Sequence, residues 1–168
     1  MITPPIAAFL EGPNSTMVAS HDAHLVPEIA RAVALSCAPD GETLTVVLPT
    51  NASADVIRQL QSDPRIAIVC ELPSTHRTLQ LKGRVTSMRP TRVDERPAIE
   101  AALAAFSAGL ELIGMPRRLT ERLQGWPATS VEVRVEQLFE QSPGPGAGDP
   151  LTDPAGPAAQ RGTGWGQR

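Results

Sequence analysis

Two polar segments carry most of the groups suited to binding chemistry. Pro49-Thr50-Asn51-Ala52-Ser53 sets hydroxyl and amide groups where the pattern passes from a strand to a helix. Unpaired backbone N–H groups and the helix dipole make such a turn a natural phosphate seat, although the same residues serve equally as ordinary N-caps through Asn51 or Ser53. The second segment, Ser74-Thr75-His76-Arg77-Thr78, offers four side-chain donors and a guanidinium in five residues, more than a plain hairpin loop needs. His21 and His24 flank Asp22, half of a metal site at most; with no third ligand at a recognisable spacing they read as a polar turn, and no metal is expected. Nucleophile elbow, Walker loop, zinc-helix motif and dinucleotide fingerprint are all missing, so covalent hydrolysis has no support. No residue stands out as a catalytic acid or base. Cys37 and Cys70 lack metal-ligand spacing and an activating neighbour, and read as small buried hydrophobes.

The elements that must position these groups can be read from periodicity. Pro4–Leu10 is a short helix with proline in its first turn, stopped by Gly12-Pro13. A strand is predicted at Thr16–Ser20. Leu25–Ala38, rich in Val, Leu and Ala, is expected to pair through Asp40-Gly41 with Thr43–Leu48. Val56, Ile57 and Leu60 lie at helical spacing, and Asp63-Pro64 ends that helix. Ile66–Cys70 is an apolar run of strand length. Leu79, Leu81, Gly83 and Val85 alternate with Gln80, Lys82, Arg84 and Thr86, the period of a strand with one face on a core, Gly83 marking a bulge or close approach. Ile99, Leu103, Phe106, Leu110 and Ile113 define the clearest helix, with Thr91 or Asp94 as its cap and Pro97 favouring Asp94. A short helix opens at Pro116, and Thr129–Phe139 is the last strand. This order predicts an α+β chain, mainly β: an antiparallel barrel with helices packed outside.

Composition bounds the function. Of 168 residues 41% are hydrophobic, enough for one self-sufficient core, and the net charge of −3 argues against a nucleic-acid-binding face. Fourteen of the 15 basic residues are arginine and the single lysine is Lys82, so anion recognition would be mainly guanidinium work. Glycine and proline number 30, and twelve of them fall in the last 27 positions. A folded domain over residues 1–141 and a disordered Gly/Pro-rich tail over 142–168 are therefore expected. With no signal-peptide pattern and no apolar run near 20 residues, the expectation is a cytoplasmic protein with free thiols and no membrane partner.

Arg31-Ala32-Val33, Leu48-Pro49-Thr50-Asn51-Ala52-Ser53, a helix ending in Asp63-Pro64-Arg65, an apolar strand and His76-Arg77-Thr78-Leu79-Gln80-Leu81-Lys82-Gly83 follow one another in an order that resembles the pyridoxamine 5′-phosphate oxidase-like FMN-binding split-barrel family, over roughly Ile6 to Gln141. The resemblance implies a six-stranded split β-barrel with flanking helices, a homodimer, and FMN at the dimer interface. It implies that Arg31, Thr50, Asn51, Ser53, Arg77 and Thr78 line the flavin pocket. Thr50, Asn51 and Ser53 would hold the phosphate, Arg77 would pair with it, and Gln80 or Lys82 would lie near the ring. The family's basic pair after the serine is replaced by Ala54-Asp55, and Ser36 stands where a basic residue is expected; His76, Arg77 and Lys82 are the candidates to compensate. The function implied is an FMN-binding oxidoreductase acting on an unidentified small molecule. The alternative, favoured by Asp55 and Ser36, is a flavin-free split-barrel dimer acting as a small-ligand binding or sensing module.

Overall fold

A computed structural model describes residues 2–120 and 122–151. The elements run α1 (Pro4–Leu10), β1 (Ser15–His21), β2 (Pro27–Arg31), β3 (Ala34–Cys37), β4 (Thr43–Pro49), α2 (Ala54–Ser62), β5 (Arg65–Leu72), β6 (Arg77–Pro90), a 3-10 turn at Val93–Glu95, α3 (Arg96–Glu111), α4 (Arg117–Thr120) and β7 (Ala128–Glu140). Every ladder is antiparallel, in the order β2-β1-β5-β6-β7-β4-β3.

The two end strands of that order, β2 and β3, are consecutive in the chain. The stretch expected as one strand from Leu25 to Ala38 is broken at Ala32-Val33, where it changes partner. Ala32 N–H donates to Thr16 O on β1 at 3.0 Å, and Val33 N–H donates to Val47 O on β4 at 2.9 Å. The seven segments are thus the six expected strands with one bent, and the sheet curls until its ends share a single length of backbone.

Alternation puts Val18, Leu44, Val46, Leu48, Ile68, Leu79, Leu81, Val131, Val133 and Leu138 inside, all at most 1% exposed. Each side chain of this size contributes roughly 1.5–3 kcal/mol on burial. Two helices close the interior. On α1, Leu10 is buried with Ile6 and Phe9 against the core; on α2, Val56 and Leu60 join it. A buried hydrogen bond from Ser20 Oγ to Gln59 Oε1, 2.6 Å, ties α2 to β1. The third helix starts at Arg96 rather than at an Asp94 cap, because Val93–Glu95 form a 3-10 turn and Pro97 falls in the first turn of α3. It covers the outside of β3 and β4, packing Ile99 on Val33, Val47 and Ala128. No helix among the described residues is long and apolar enough to cross a membrane.

Beyond β7 the chain turns back. Gly148 N–H donates to Glu140 O at 2.7 Å, Leu151 N–H to Leu138 O at 2.8 Å, and Pro150 bridges Phe139. The rest of the segment expected as a disordered tail, residues 152–168, lies outside the described residues.

Gly83 faces inward where the β6–β7 register shifts, and a Cβ there would lie 2.2 Å from the Arg134 carbonyl oxygen. Gly83→Ala is expected to lower stability by roughly 1–3 kcal/mol, read from the urea midpoint. Both cysteines lie on strands, Cys70 buried in the core and Cys37 half-buried against it. Burial, with the Glu11 carboxylate nearby, pushes the Cys37 thiol up to about 12; burial, against a hydrogen bond from Thr16, pushes Cys70 up to about 11. Alkylation by iodoacetamide at pH 8 should be slower in the native protein than in urea by roughly a hundredfold or more.

Candidate functional site

With α1 and α2 at the barrel ends and α3 over β3 and β4, no helix among the described residues packs over the outer faces of β1, β5 and β6, and on β2 only Arg31 meets α3, at Phe106. Register fixes what lies there. Arg31 opposes Met17, Met17 opposes Val69, Val69 opposes Gln80, and Gln80 opposes Phe139. In the adjoining row Ile29, Ala19, Ala67, Lys82 and Gln137 follow one another. All are out of phase with the buried positions of their strands. The face is a floor of small and aliphatic side chains with Arg31 at one side and Gln80 and Lys82 at the other.

The structure therefore brings Arg31, Thr78, Gln80 and Lys82 onto one surface. Arg31 donates from a guanidinium nitrogen to Ser15 Oγ at 3.0 Å and lies 5.5 Å from the centroid of the Phe106 ring on α3. Lys82 Nζ is 5.1 Å from the centroid of Phe139. Gln80 accepts a hydrogen bond from Gln141 at 3.3 Å, and Thr78 N–H donates to Ser142 Oγ at 3.0 Å. Arg77 is in phase with inward Leu79 and Leu81, so it turns away from this face and stacks on Phe9 of α1, 4.4 Å from the ring centroid. His76, held at φ 58°, bonds Glu71 through Nδ1 at 2.9 Å. The polar cluster at Ser74–Thr78 is thus divided between the barrel end, the outer face and a turn.

The Thr50-Asn51-Ser53 turn sits between β4 and α2, beside the start of β7. Thr50 Oγ1 is 3.0 Å from Thr129 Oγ1, and Asn51 is exposed. Ser53 is the N-cap of α2, yet neither it nor Asn51 makes the expected side-chain cap bond. The Ser53 side chain is buried, 2% exposed, and its hydroxyl has no partner. Asp55 in the first turn, where a carboxylate complements the positive end of the helix, also pairs with Arg58 one turn on.

These observations test a flavin mononucleotide in two parts. The outer face suits a flat ring system: its floor is shallow and aliphatic, and amide and ammonium donors stand beside it. The β4–α2 turn does not suit the phosphate, because the Thr50 hydroxyl is engaged, the Ser53 hydroxyl is sealed from solvent, and Asp55 adds a negative charge.

Sequence reasoning missed a groove on the same face, of about 440 Å³, where Leu25, Pro27, Ala19, Ala67, Lys82 and Gln137 line the walls and floor. The parity of β1 and β5 was the signal that places Ala19 and Ala67 there. The wall at Leu25 had none, since it depends on the shape of the turn after β1. Among the described residues no group of three His, Cys, Asp or Glu side chains is placed to hold a metal ion.

Comparison with known proteins agrees with the architecture. Three solved structures share the fold. HupZ of Group A Streptococcus is 18% identical, with TM-score 0.54 over 88% of this chain and all of that one (100%). An F420 reductase is 15% identical, with TM-score 0.52 over 78% and 93% of the two chains. A pyridoxamine 5′-phosphate oxidase homologue from Lactobacillus delbrueckii is 12% identical, with TM-score 0.52 over 82% and 92%. At these identities the likeness is one of fold. No curated protein matches the chain. The family model for pyridoxamine 5′-phosphate oxidase matches residues 2–140, the whole of the barrel with its helices, and the chain belongs to that family.

Proposed function

We propose that the chain is a flavin-binding redox protein, working as a homodimer on a small molecule, that grips the ring system of its cofactor more than the phosphate. The observation that carries this reading is the uncovered outer face, where Met17, Val69, Ala19 and Ala67 lie between Arg31 and the Gln80–Lys82 pair. With no tyrosine in the chain, a ring here rests on aliphatic side chains and backbone rather than on an aromatic stack.

When bound, a flavin supplies the redox chemistry. The residues of this chain bind and orient it. Gln80 offers an amide that both donates and accepts, Lys82 a positive charge, and the aliphatic floor excludes water. An aliphatic sheet face of this extent is also the surface a second copy of the chain would cover, which supports the homodimer the family resemblance implies.

The condition of the β4–α2 turn makes the reading specific. Asp55, paired with Arg58, leaves no unmatched positive side chain at the helix start for a phosphate, and its residual repulsion stays below the roughly 1 kcal/mol of a bare charge pair at 4 Å in water. FMN and riboflavin should therefore bind with affinities within roughly threefold of each other, followed by quenching of flavin fluorescence. Asp55→Lys reverses the charge at the helix start and should tighten FMN by about tenfold while leaving riboflavin unchanged. The sealed Ser53 and the Asp55 charge favour the flavin-free sensing module as the second reading. Protein that is colourless as isolated and takes up neither flavin would establish that reading in place of the first.

A further inference from the structure

We infer that the groove beside the β1–β2 turn is a site for a small monoanion with an apolar body, its charge met by Lys82 and its body held against Leu25; it shares Lys82, Ala19 and Ala67 with the face proposed for the flavin ring. The inference does not rest on the flavin reading, since the groove is a feature of the bare chain.

The wall is built under strain. Leu25 has φ 62°, in the left-handed region that a bulky side chain rarely enters, and it is 69% exposed. Three hydrogen bonds hold it there. The Asp22 carboxylate accepts from the N–H groups of His24 at 2.8 Å and Val26 at 2.9 Å, and Leu25 N–H donates to Asp22 O at 3.0 Å. The same bonds keep the Asp22 carboxyl below the usual carboxylate range, so the lock persists at neutral pH. A strained leucine pointing into solvent adds nothing to the core. What it does is stand over a floor of Ala19 and Ala67, whose small side chains leave the space beneath it open.

The charge balance selects the ligand. Glu136 lines the groove, and Asp63 and Asp22 flank it, Asp22 being spent on the backbone N–H groups of His24 and Val26. Asp63 is taken by Arg65, with the His21 ring 3.8 Å away, and Glu136 pairs with Arg84 at 3.2 Å. Among the described residues no carboxylate pairs with Lys82, whose ammonium has only the face of Phe139. One unmatched positive charge beside an apolar wall, with the Gln137 amide on the rim, suits a single carboxylate on an aliphatic or aromatic body. A volume of about 440 Å³ accommodates a compact molecule of that kind.

Benzoate and its neutral counterpart benzamide are suitable probes, titrated calorimetrically into the full-length protein freed of any bound flavin. Benzoate should bind at least tenfold more tightly than benzamide. Lys82→Gln should remove that preference and Lys82→Arg keep most of it. Leu25→Gly is the decisive variant, because it relieves the backbone strain while deleting the wall. It should weaken benzoate by about tenfold with Tm unchanged or raised. The proposal is overturned if benzoate does not bind, if the two probes bind alike, or if Leu25→Gly leaves benzoate affinity intact. It is also overturned if either variant acts by dissociating an oligomer on size exclusion, since a second copy would then be the occupant. Benzoate binding in protein that takes up no flavin would separate this site from the cofactor reading.

Discussion

Two adjacent backbone N–H groups hold this architecture closed. Ala32 donates to β1 and Val33 to β4, so one bent strand serves both ends of the sheet. An unpaired N–H at such a seam would cost roughly 1–3 kcal/mol if buried, and a free edge would invite pairing with another chain. Small side chains allow the bend: Ala30 and Ala32 face crowded interior positions and are 5% and 7% exposed. Closure then dictates the rest. The interior is filled mainly by aliphatic side chains in alternating phase, the two open ends need plugs, which α1 and α2 supply, and α3 covers the outside next to the seam. One sheet face remains, and of the candidate binding residues on the sheet Arg31, Thr78, Gln80 and Lys82 lie on it while Arg77 does not.

Much of this was legible because strand parity is a strong signal. Leu79 and Leu81 inside with Gln80 and Lys82 outside follows from alternation alone, and Gly83 announced a close approach that proved to be the Arg134 carbonyl. The break at Ala32-Val33 was not legible, since neither glycine nor proline marks it and each residue satisfies a normal ladder bond. Arg77 lies apart from Thr78 for a related reason. Read as part of one polar cluster with Thr78 it belongs to a pocket, whereas parity sends the two side chains to opposite sides of β6. The Asp22 turn was read only as two histidines around an acid. The carboxylate's work is to bond the backbone of His24 and Val26, a local arrangement that composition does not reveal.

The arginine-rich composition takes on a particular meaning once the partners are known. Arg31 and Arg77, the two arginines of the resemblance, both rest on aromatic rings, Phe106 and Phe9, and Arg31 also satisfies Ser15. A guanidinium can do this while remaining charged, because its planar face stacks and its edge still donates. Two of the chain's few aromatics are thus used to fasten helices α3 and α1 to the barrel. Both guanidinium groups are part of the packing.

On the proposed reading, that use of the arginines fits a ring face kept without a phosphate seat. The outer face is a by-product of closure: as long as the barrel forms, Met17, Val69, Ala19 and Ala67 must point outward in register, and their identity costs the core nothing. The phosphate seat enjoys no such protection. It depends on individual polar atoms in the β4–α2 turn, where burying the Ser53 hydroxyl or replacing a base with Asp55 leaves the strands and α2 intact. Selection for the fold alone would preserve the first and leave the second to drift, so that affinity for a planar ligand outlasts affinity for its phosphate. On the proposed reading, Lys82, exposed on that face and unmatched by any carboxylate among the described residues, is then the principal remaining charge through which such a ligand would be recognised.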